Sequence, residues 1–349
     1  MKSRVTLKDV VEMSGFSIAT VSRALGDTDY PVSRETREKV QQVAKELGYI
    51  PNLLSRSLIT KNTRDIGLVL PNISNIYYLQ LVNGIITAAR QLDYTVTIMN
   101  SQRSINTERY NLTRLLQKRI DGALVIPISY QNNTLSELMK YGVKVVVLDQ
   151  DCNIECSKVL FDFTQGMYMS TEHLIELGHT EIAFFSAPFR QKSRSQQLIG
   201  YKQALRSYNI PFQESYIFVA EEENDLGESY EYENGINLAK EMLLRFDDKK
   251  RPSAIVCIND MTAIGAIHQF QNSGVRIPED ISVVGFDNTI ISKTSNPAIT
   301  TIDQCIYQMG SLAIQLLTNN IAGSGDNDAT SVLLQPSLVI RGSTSPLSK

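Results

Sequence analysis

The sequence is poor in the residues that usually build metal and cofactor sites. Its 349 residues include only three histidines and four cysteines. The cysteines are Cys152, Cys156, Cys257 and Cys305. They show no framework spacing and no histidine lies nearby, so we interpret them as reduced thiols rather than as disulfide partners or metal ligands. We therefore expect neither a metal site nor a cofactor.

Long apolar runs are also missing. No stretch of about 18 apolar residues occurs, which argues against a membrane-spanning helix. The first residues lead into an amphipathic segment instead of an apolar signal core, so we expect a cytoplasmic protein. The chain also lacks a phosphate-binding glycine fingerprint, a Ser-His-Asp arrangement and a metal-ligand spacing. We therefore expect no enzymatic activity and assign no catalytic residue.

Charge is distributed unevenly along the chain. Residues 1–64 carry 11 lysines and arginines against 7 acidic residues, a net charge of +4. Because the net charge of the whole chain is −3, the remaining residues carry −7. This distribution is typical of a protein in which only the N-terminal segment meets a polyanion such as nucleic acid.

The basic segment is predicted to form three short helices. Thr6 can start the first helix with a capping box, and Gly15 supplies a tight turn after it. Ser17 and Ser33 are suited to cap the second and third helices, and Gly48 ends the third. The order of these elements is that of a helix-turn-helix unit: a helix, a glycine turn, a capped helix, a loop and a further helix.

The stretch "SIATVSRAL" predicts a second helix with two different faces. Val21 and Leu25 are expected to be buried, whereas Ile18, Ala19 and Arg23 are expected to face solvent. In a helix-turn-helix this helix enters the major groove, where Arg23 can donate two hydrogen bonds to a guanine and Ile18 and Ala19 can contact thymine methyl groups. Hydroxyl groups on the same helix suit phosphate oxygens. The alternative is an ordinary surface arginine on a three-helix bundle.

From Asp65 onward, short apolar runs alternate with helical patterns. This alternation predicts βαβ units and mainly parallel sheets that are buried on both faces. About 280 residues are too many for one such sheet of ordinary size, so two α/β lobes are expected. The predicted strands lie at 66–70, 96–99, 122–126, 143–148, 182–185, 254–258 and 281–286, with a helix near 77–92 and a last strand in "SLVIRG".

The stretches "TLKDVVEMSGFSIATVSRAL" and "VSRETREKVQQVAKELGYIPN" resemble the lactose/galactose repressor (LacI/GalR) family, and the resemblance covers essentially the whole chain. It implies an α/β protein with an N-terminal three-helix helix-turn-helix head, a hinge helix and a two-lobed, periplasmic-binding-protein-like body with parallel sheets. The expected boundaries are 1–49 for the head, 50–64 for the hinge and linker, 65–349 for the body, about 65–162 and 304–331 for lobe one, and about 163–303 and 332–342 for lobe two.

The resemblance implies a nucleoid-associated transcription regulator, usually a repressor of carbohydrate-related genes, that binds a pseudo-palindromic double-stranded DNA operator as a homodimer. In this family the hinge helix orders on DNA and inserts a leucine into the minor groove, and Leu58 in "PNLLSRSL" matches that leucine. An ordinary linker helix is the alternative. The C-terminal tail lacks leucine heptads, which favours a dimer over a tetramer. The candidate DNA contacts are Thr6, Ser17, Ile18, Ala19, Thr20, Ser22, Arg23, Asn52, Ser55 and Leu58.

Polar residues follow several predicted strands of the body, as in "VVVLDQD", "VCIND" and "VVGFDN". Ligands of open α/β sheets bind at the carboxyl ends of the strands, where such side chains can hydrogen-bond to sugar hydroxyls. A turn or helix-capping role is the alternative for each of them. Two tyrosines in "NISNIYY" can stack on a ligand ring. The candidate effector residues are Tyr77, Tyr78, Asp149, Ser193, Gln197, Asn259 and Asp287.

One position departs from the family pattern. Three residues before Gly200, where the family usually has an effector-binding arginine, this chain has Gln197. Glutamine carries no charge, so an anionic effector would lose this clamp, and Arg194 either compensates for it or faces solvent. A sugar or sugar derivative is the expected effector. Two alternatives are a regulator switched by a phosphorylated carrier protein and a sugar-binding protein without a DNA function.

Overall fold

The computed structural model describes residues 5–26, 32–50, 62–221, 229–247, 250–323 and 329–347. The chain forms two compact units, Met1–Thr63 and Arg64–Lys349. The predicted hinge contacts Asn52, Ser55 and Leu58 lie outside the described residues. The described residues form twelve α-helices and twelve β-strands. None of these helices combines the length and the apolarity that a bilayer crossing requires.

The first unit contains the three predicted helices, which are α1 (Leu7–Ser14), α2 (Ile18–Leu25) and α3 (Arg34–Leu47). The predicted caps are confirmed. The Thr20 amide donates to Ser17 Oγ at 3.2 Å, and the Thr36 amide donates to Ser33 Oγ at 3.2 Å. Five buried side chains from all three helices form the core of this unit: Val10, Val21, Ala24, Val40 and Ala44.

The second unit contains two six-stranded sheets. The first sheet consists of β1 (Asp65–Leu70), β2 (Thr95–Asn100), β3 (Gly122–Val125), β4 (Lys144–Asp149), β5 (Ser157–Phe161) and β11 (Ser331–Leu334). Its order is β2-β1-β3-β4-β5-β11, and all of its strand pairs are parallel. The helices around it are α4 (Ile76–Gln91), α5 (Ile105–Gln117), α6 (Asn133–Lys140) and α12 (Ile306–Ala322).

The second sheet consists of β6 (Ile182–Ser186), β7 (Ile217–Val219), β8 (Ala254–Cys257), β9 (Ser282–Asp287), β10 (Thr300–Asp303) and β12 (Ser337–Val339). Its order is β7-β6-β8-β9-β10-β12, and β12 pairs antiparallel with β10. Its helices are α7 (Phe163–Glu176), α8 (Lys192–Ser207), α9 (Tyr230–Arg245), α10 (Asp260–Asn272) and α11 (Ile290–Thr294). A short 3₁₀ turn spans Glu214–Tyr216.

Each sheet with its helices forms one lobe, and the predicted strands of both lobes are confirmed. In both sheets the strand order reverses beside the first strand, which places the ligand crevice at the carboxyl ends of the strands. The chain passes between the lobes after β5, after β10 and after β11.

The crossing after β11 corrects one predicted boundary between the two lobes. Residues 332–334 were assigned to lobe two, but they continue β11, where Leu334 lies opposite Phe161 of β5. The apolar run "SVLL" therefore adds an edge strand to the first sheet before the chain crosses. Only the following strand, β12, belongs to lobe two.

Candidate DNA-binding helix and interlobe cavity

Helix α2 follows a short turn that its flanking residues define. Gly15 has φ +76°, in the left-handed region that residues with a side chain rarely adopt. Ser17 Oγ lies 2.9 Å from Thr20 Oγ1 in addition to accepting the Thr20 amide. The glycine turn and the serine cap together fix where α2 begins.

The two faces of α2 agree with the sequence prediction, with one correction. Val21 and Ala24 are fully buried. Leu25 was expected to be buried but is only partly so, because Ala24 occupies the centre of the small core and Leu25 packs at its edge. Ile18 keeps 54% of its surface exposed. The exposed positions are Ser17, Ile18, Ala19, Ser22 and Arg23, with Thr20 partly exposed.

Thr6 caps α1, as predicted. Its amide donates to Asp9 Oδ2 at 2.7 Å and its hydroxyl donates to the same oxygen at 2.9 Å. These two hydrogen bonds lower the pKa of Asp9. A contact between Thr6 and DNA stays a prediction.

A cavity of about 530 Å³ is lined by residues of both lobes in the second unit. All seven residues predicted to contact the effector line it: Tyr77, Tyr78, Asp149, Ser193, Gln197, Asn259 and Asp287. The strand-end pattern therefore predicted residues that lie around one cavity, while their role in binding stays a prediction. The role of Arg194 was left open by the sequence, and the remaining lining residues were not predicted: Asn75, Arg103, Gln150, Phe163, Gln191, Glu231, Ile258 and Gln304.

On the lobe-one side, the carboxylate of Asp149 lies at the centre of a hydrogen-bond network. Tyr77 Oη donates to Asp149 Oδ1 at 2.8 Å, and Gln150 Nε2 donates to Asp149 Oδ2 at 3.1 Å. Burial raises the pKa of Asp149, although both hydrogen bonds oppose this shift. Burial also raises the pKa of Tyr77 well above its usual value, so the hydroxyl remains a donor. Tyr78 packs edge to face on Tyr77, with 5.1 Å between ring centroids.

On the lobe-two side, Asp287 pairs with Gln304. Gln304 Nε2 donates to Asp287 Oδ1, while the buried Gln304 Oε1 has no hydrogen-bond partner among the described residues. Burial, followed by repulsion from Asp260 and Asp149, raises the pKa of Asp287 well above its usual value. The cavity thus contains an unsatisfied acceptor to which a ligand hydroxyl could donate.

Other lobe-two residues are bonded within their own lobe. Asn259 lines the cavity and also caps α10, since its Oδ1 accepts the Thr262 amide at 2.8 Å. Gln197 Nε2 donates to the carbonyl oxygen of Ile258 at 3.0 Å. The buried Asp260 accepts hydrogen bonds from Thr289, just before α11, and from Thr301 of β10, and burial raises its pKa to about 6. We interpret Asp260 as a structural residue.

Several hydrogen bonds cross the cavity from one lobe to the other. Arg103 of lobe one forms an ion pair with Glu231 of lobe two, and their side chains are only 14% and 6% exposed. Asn75 Nδ2 donates to Glu231 at 3.3 Å. Gln150 Nε2 donates to Ser193 Oγ at 3.0 Å. The two walls of the cavity are therefore linked directly, without a ligand.

The backbone is strained where the sheets meet the cavity. Asp149 has φ +60°, Arg103 has φ +54° and Asp287 has φ +116°. Such values are uncommon for residues with a side chain and persist only where the surrounding structure enforces them. These strained residues lie at or just after strand ends, so the surrounding packing holds the backbone in place there.

Two family models match the chain. The model described as "Bacterial regulatory proteins, lacI family" matches residues 6–52, which include all three helices of the first unit. The model described as "Periplasmic binding protein-like domain" matches residues 171–344, which include most of lobe two. The two matches thus fall on the candidate DNA-binding helix and on part of the cavity.

Full-length relatives agree with these matches. Catabolite control protein A of Priestia megaterium is 34% identical over 90% of this chain and 92% of that protein. The transcriptional repressor PurR of Vibrio parahaemolyticus is 29% identical over 98% and 99%. A crystal structure of the Lac repressor dimer bound to operator and the anti-inducer ONPF has a TM-score of 0.86 at 28% identity and covers 98% of this chain and 100% of that one. The chain belongs to the LacI family of bacterial regulatory proteins, whose members named here are transcription regulators and not enzymes.

Proposed function

We propose that this regulator binds a pseudo-palindromic DNA operator as a homodimer and represses carbohydrate-related genes, with its DNA affinity set by a ligand in the interlobe cavity. It acts in the cytoplasm, on the nucleoid. The observation that carries the proposal is the exposed face of α2, which lies opposite the buried Val21 and Ala24. A helix that is anchored on one side and exposed on the other can enter the major groove without unfolding the head.

The exposed residues of α2 have distinct roles in this proposal. Arg23 donates two hydrogen bonds to a guanine, while Ile18 and Ala19 contact thymine methyl groups. Ser22 and the amino end of α2 contact phosphate oxygens, which position the helix without reading the sequence. Base recognition therefore depends on three residues.

A homodimer presents two such helices to two half-sites. The Lac repressor in the similar structure is a dimer on its operator, which supports the same arrangement for this chain. Half-sites separated by about one helical turn would each receive one copy of α2. By resemblance we also assign minor-groove insertion to Leu58, with Asn52 and Ser55 beside it. Inserting a side chain unstacks a base step, and the resulting bend brings more protein onto the DNA.

The cavity suits a small, hydroxyl-rich ligand. Its walls combine aromatic side chains with carboxylate and amide groups, a kind of lining that is usual for such sites. Asp149 and the unsatisfied Gln304 Oε1 can accept hydrogen bonds from hydroxyl groups, and Asn259 can donate one. Because both lobes line the cavity, a ligand that bonds to both stabilises one relative placement of the lobes. Ligand affinity and DNA affinity are then coupled reciprocally.

A phosphorylated carrier protein is a second candidate for the switch. Two observations favour it: Gln197 is neutral and bonded within its own lobe, and a catabolite control protein is 34% identical to this chain. The polar lining of the cavity favours the small ligand. Thermal-shift screening of the full chain against sugars, sugar phosphates and a phosphorylated carrier protein separates the two, since the true partner raises the melting temperature.

The test of DNA binding begins with operator selection. DNA duplexes selected from a random pool by the full chain should share a pseudo-palindrome. The logarithm of the binding constant should fall linearly with the logarithm of salt concentration, by about 0.9 for each phosphate neutralised. A flat salt response, or selected duplexes without a shared symmetric sequence, would contradict the proposal.

A further inference from the structure

Two cationic side chains cross between the lobes of the second unit, and they cross in opposite directions. Arg103 of lobe one forms its ion pair with Glu231 of lobe two. Lys192, the first residue of α8 in lobe two, reaches back to lobe one, where its Nζ lies 2.7 Å from Asp151 Oδ2. Asp151 belongs to the connection between β4 and β5. Each lobe therefore supplies one cation and one carboxylate to the other.

Each of these cations also lies over a tyrosine ring of the opposite lobe. The Arg103 guanidinium lies over the Tyr230 ring, with 5.2 Å from Cζ to the ring centroid. Lys192 Nζ lies 5.1 Å from the centroid of the Tyr130 ring. The negative face of an aromatic ring attracts a cation in this position. Each crossing thus combines one ion pair with one cation–ring contact, and we call the two crossings the Arg103 bridge and the Lys192 bridge.

The lobe-one side of the Lys192 bridge is held in place within its own lobe. Lys158 Nζ of β5 lies 2.8 Å from Asp151 Oδ1, and the Asn153 amide donates to the carbonyl oxygen of Tyr130 at 2.8 Å. Partial burial raises the pKa of Asp151, but the hydrogen bonds from Lys158 and Lys192 outweigh it and the pKa is lowered overall. The bridge therefore ends on an ionised carboxylate in a fixed position.

Lys192 stands where a cation does not stabilise its own helix. The first turn of α8 contains no acidic residue, and the N-cap residue Gln191 makes no side-chain capping bond. A positive charge at the amino end of a helix is repelled by the helix dipole. The contacts with Asp151 and Tyr130 offset this repulsion, so the link between the lobes accounts for Lys192 better than the stability of α8 does.

The two bridges differ in position and exposure. Arg103 and Glu231 line the interlobe cavity and are largely buried. Among the described residues that line this cavity, neither Lys192 nor Asp151 appears, and their side chains keep 45% and 25% of their surface exposed. A ligand in the cavity therefore does not need to displace the Lys192 bridge. Salt screens this bridge more strongly than the buried one.

We propose that the two bridges form a latch, by which side chains of the protein itself rather than ligand atoms favour the closed arrangement of the lobes. Opening the lobes separates both cations from their carboxylates and their tyrosine rings, so the contacts stabilise only the closed state. The chain is then largely closed before a ligand binds. The consequence that weakening the latch changes operator affinity rests on the proposed coupling between lobe arrangement and DNA binding.

A distance between the lobes tests the latch in the full-length chain without added ligand. Spin labels are placed at Tyr110 on α5 and Asn237 on α9, two exposed helix positions in different lobes, and double electron–electron resonance measures their separation. The labels are attached to non-natural residues, so the native cysteines stay unmodified. An excess of unlabelled chain keeps both labels of a pair within one protomer. The wild type should give one dominant distance, that of the closed lobes.

Variants assign closure to the two bridges. Lys192→Met removes the ammonium group but keeps an apolar stem, and it should raise the ratio of open to closed molecules about two- to fivefold. Arg103→Met combined with Glu231→Gln removes the buried bridge without leaving an unpaired charge, and should raise the ratio about tenfold or more. All three substitutions together should make the longer distance prominent.

Lys202→Met is the matched control. Lys202 lies on the same helix as Lys192, and its Nζ lies 4.3 Å from the centroid of Phe212, a ring of the same lobe. The substitution removes the same charge and the same kind of ring contact without affecting a link between the lobes. It should leave the distance distribution unchanged.

The outcomes separate the latch from the proposed function. A wild type in which the longer distance dominates overturns the latch, and so does one distance distribution shared by the wild type, the triple variant and Lys202→Met. Opening of the triple variant alone supports the latch. If operator affinity is then the same in the open variant and in the wild type, the latch stands and the proposed coupling to DNA fails.

Discussion

The exposed face of α2 and the interlobe cavity hold their polar groups in opposite environments. On α2, Arg23 and its neighbours face solvent above a core of five buried side chains. In the cavity, Asp149 and Asp287 are buried, and each is bonded to a neighbouring side chain before any ligand arrives. Both regions are suited to recognition, but the cavity depends more on buried polar residues for its own folded arrangement.

The difference follows from the cost of desolvation. Water screens the interactions of an exposed arginine such as Arg23, so replacing it should affect the proposed DNA binding more than folding. A buried charge must have a partner in the free protein, because an unpaired one costs several kcal/mol. Replacing Arg103 or Glu231 should therefore affect stability as well as binding.

The largest expected effect comes from the core beneath α2. Val21→Asp places an unpaired carboxylate in a fully buried position and should destabilise the head by roughly 4 kcal/mol or more. Operator binding should be lost, while ligands of the cavity still bind to the body. Met13→Asp, at an exposed position of α1, is the matched control. Circular dichroism and operator titration measure both variants, and an intact operator affinity in Val21→Asp would contradict the structure of the head.

The ion pair across the cavity should show the next largest effect. Arg103→Met leaves Glu231 buried without its partner, which should lower the free energy of unfolding of the body by about 3–5 kcal/mol. Adding Glu231→Gln removes the uncompensated charge and keeps an acceptor for Asn75. The double variant should therefore recover at least half of the loss. Calorimetric melting measures the series, and no recovery in the double variant would show that the pair is not coupled.

Arg23→Ala should lower the stability of the head by no more than about 1 kcal/mol, because water screens the interactions of an exposed side chain. We expect a loss of about 1–3 kcal/mol in operator affinity, concentrated at one base pair of each half-site. Titrations with single-base operator variants measure this. A uniform loss across all sequences would instead identify Arg23 as a phosphate contact, and the slope of affinity against salt would then fall.

The smallest expected effect concerns the turn before α2. Gly15→Ala adds a methyl group that meets no atom within 4 Å, so any change arises from the left-handed backbone alone. A loss of about 1 kcal/mol in head stability is expected. Thermal melting of the head measures it. Unchanged stability would mean that the turn tolerates other conformations and does not fix the start of α2.

The sequence predicted the regular parts of this protein well, because each had a local signal. Ser17 and Gly15 mark the start of α2, and the apolar runs mark the strands that are buried on both faces. Four strands (β5, β7, β10 and β11) were not predicted, and β5 and β11 lack this signal. In β5 burial alternates along Ser157–Phe161, and in β11 every residue of Ser331–Leu334 is at least partly exposed, so neither forms a buried apolar run.

The cavity was predicted only in part for a similar reason. Asp149, Asn259 and Asp287 stand directly at strand ends, where a polar residue after an apolar run is visible in the sequence. Arg103 lies three residues beyond β2, and Glu231 lies in the first turn of α9. Nothing in the sequence pairs these two residues, because the contact depends on how the two lobes close on each other. A search extending past the end of every strand would have included Arg103.

The central claim is that the cavity and the operator are coupled, and one thermodynamic cycle tests it directly. Operator affinity of the full chain is measured with and without the ligand that the thermal-shift screening identifies. Ligand affinity is then measured with and without operator. We expect operator affinity and ligand affinity both to change, and by the same factor, because the coupling free energy is shared. Ligand affinity that is unaffected by saturating operator would contradict it.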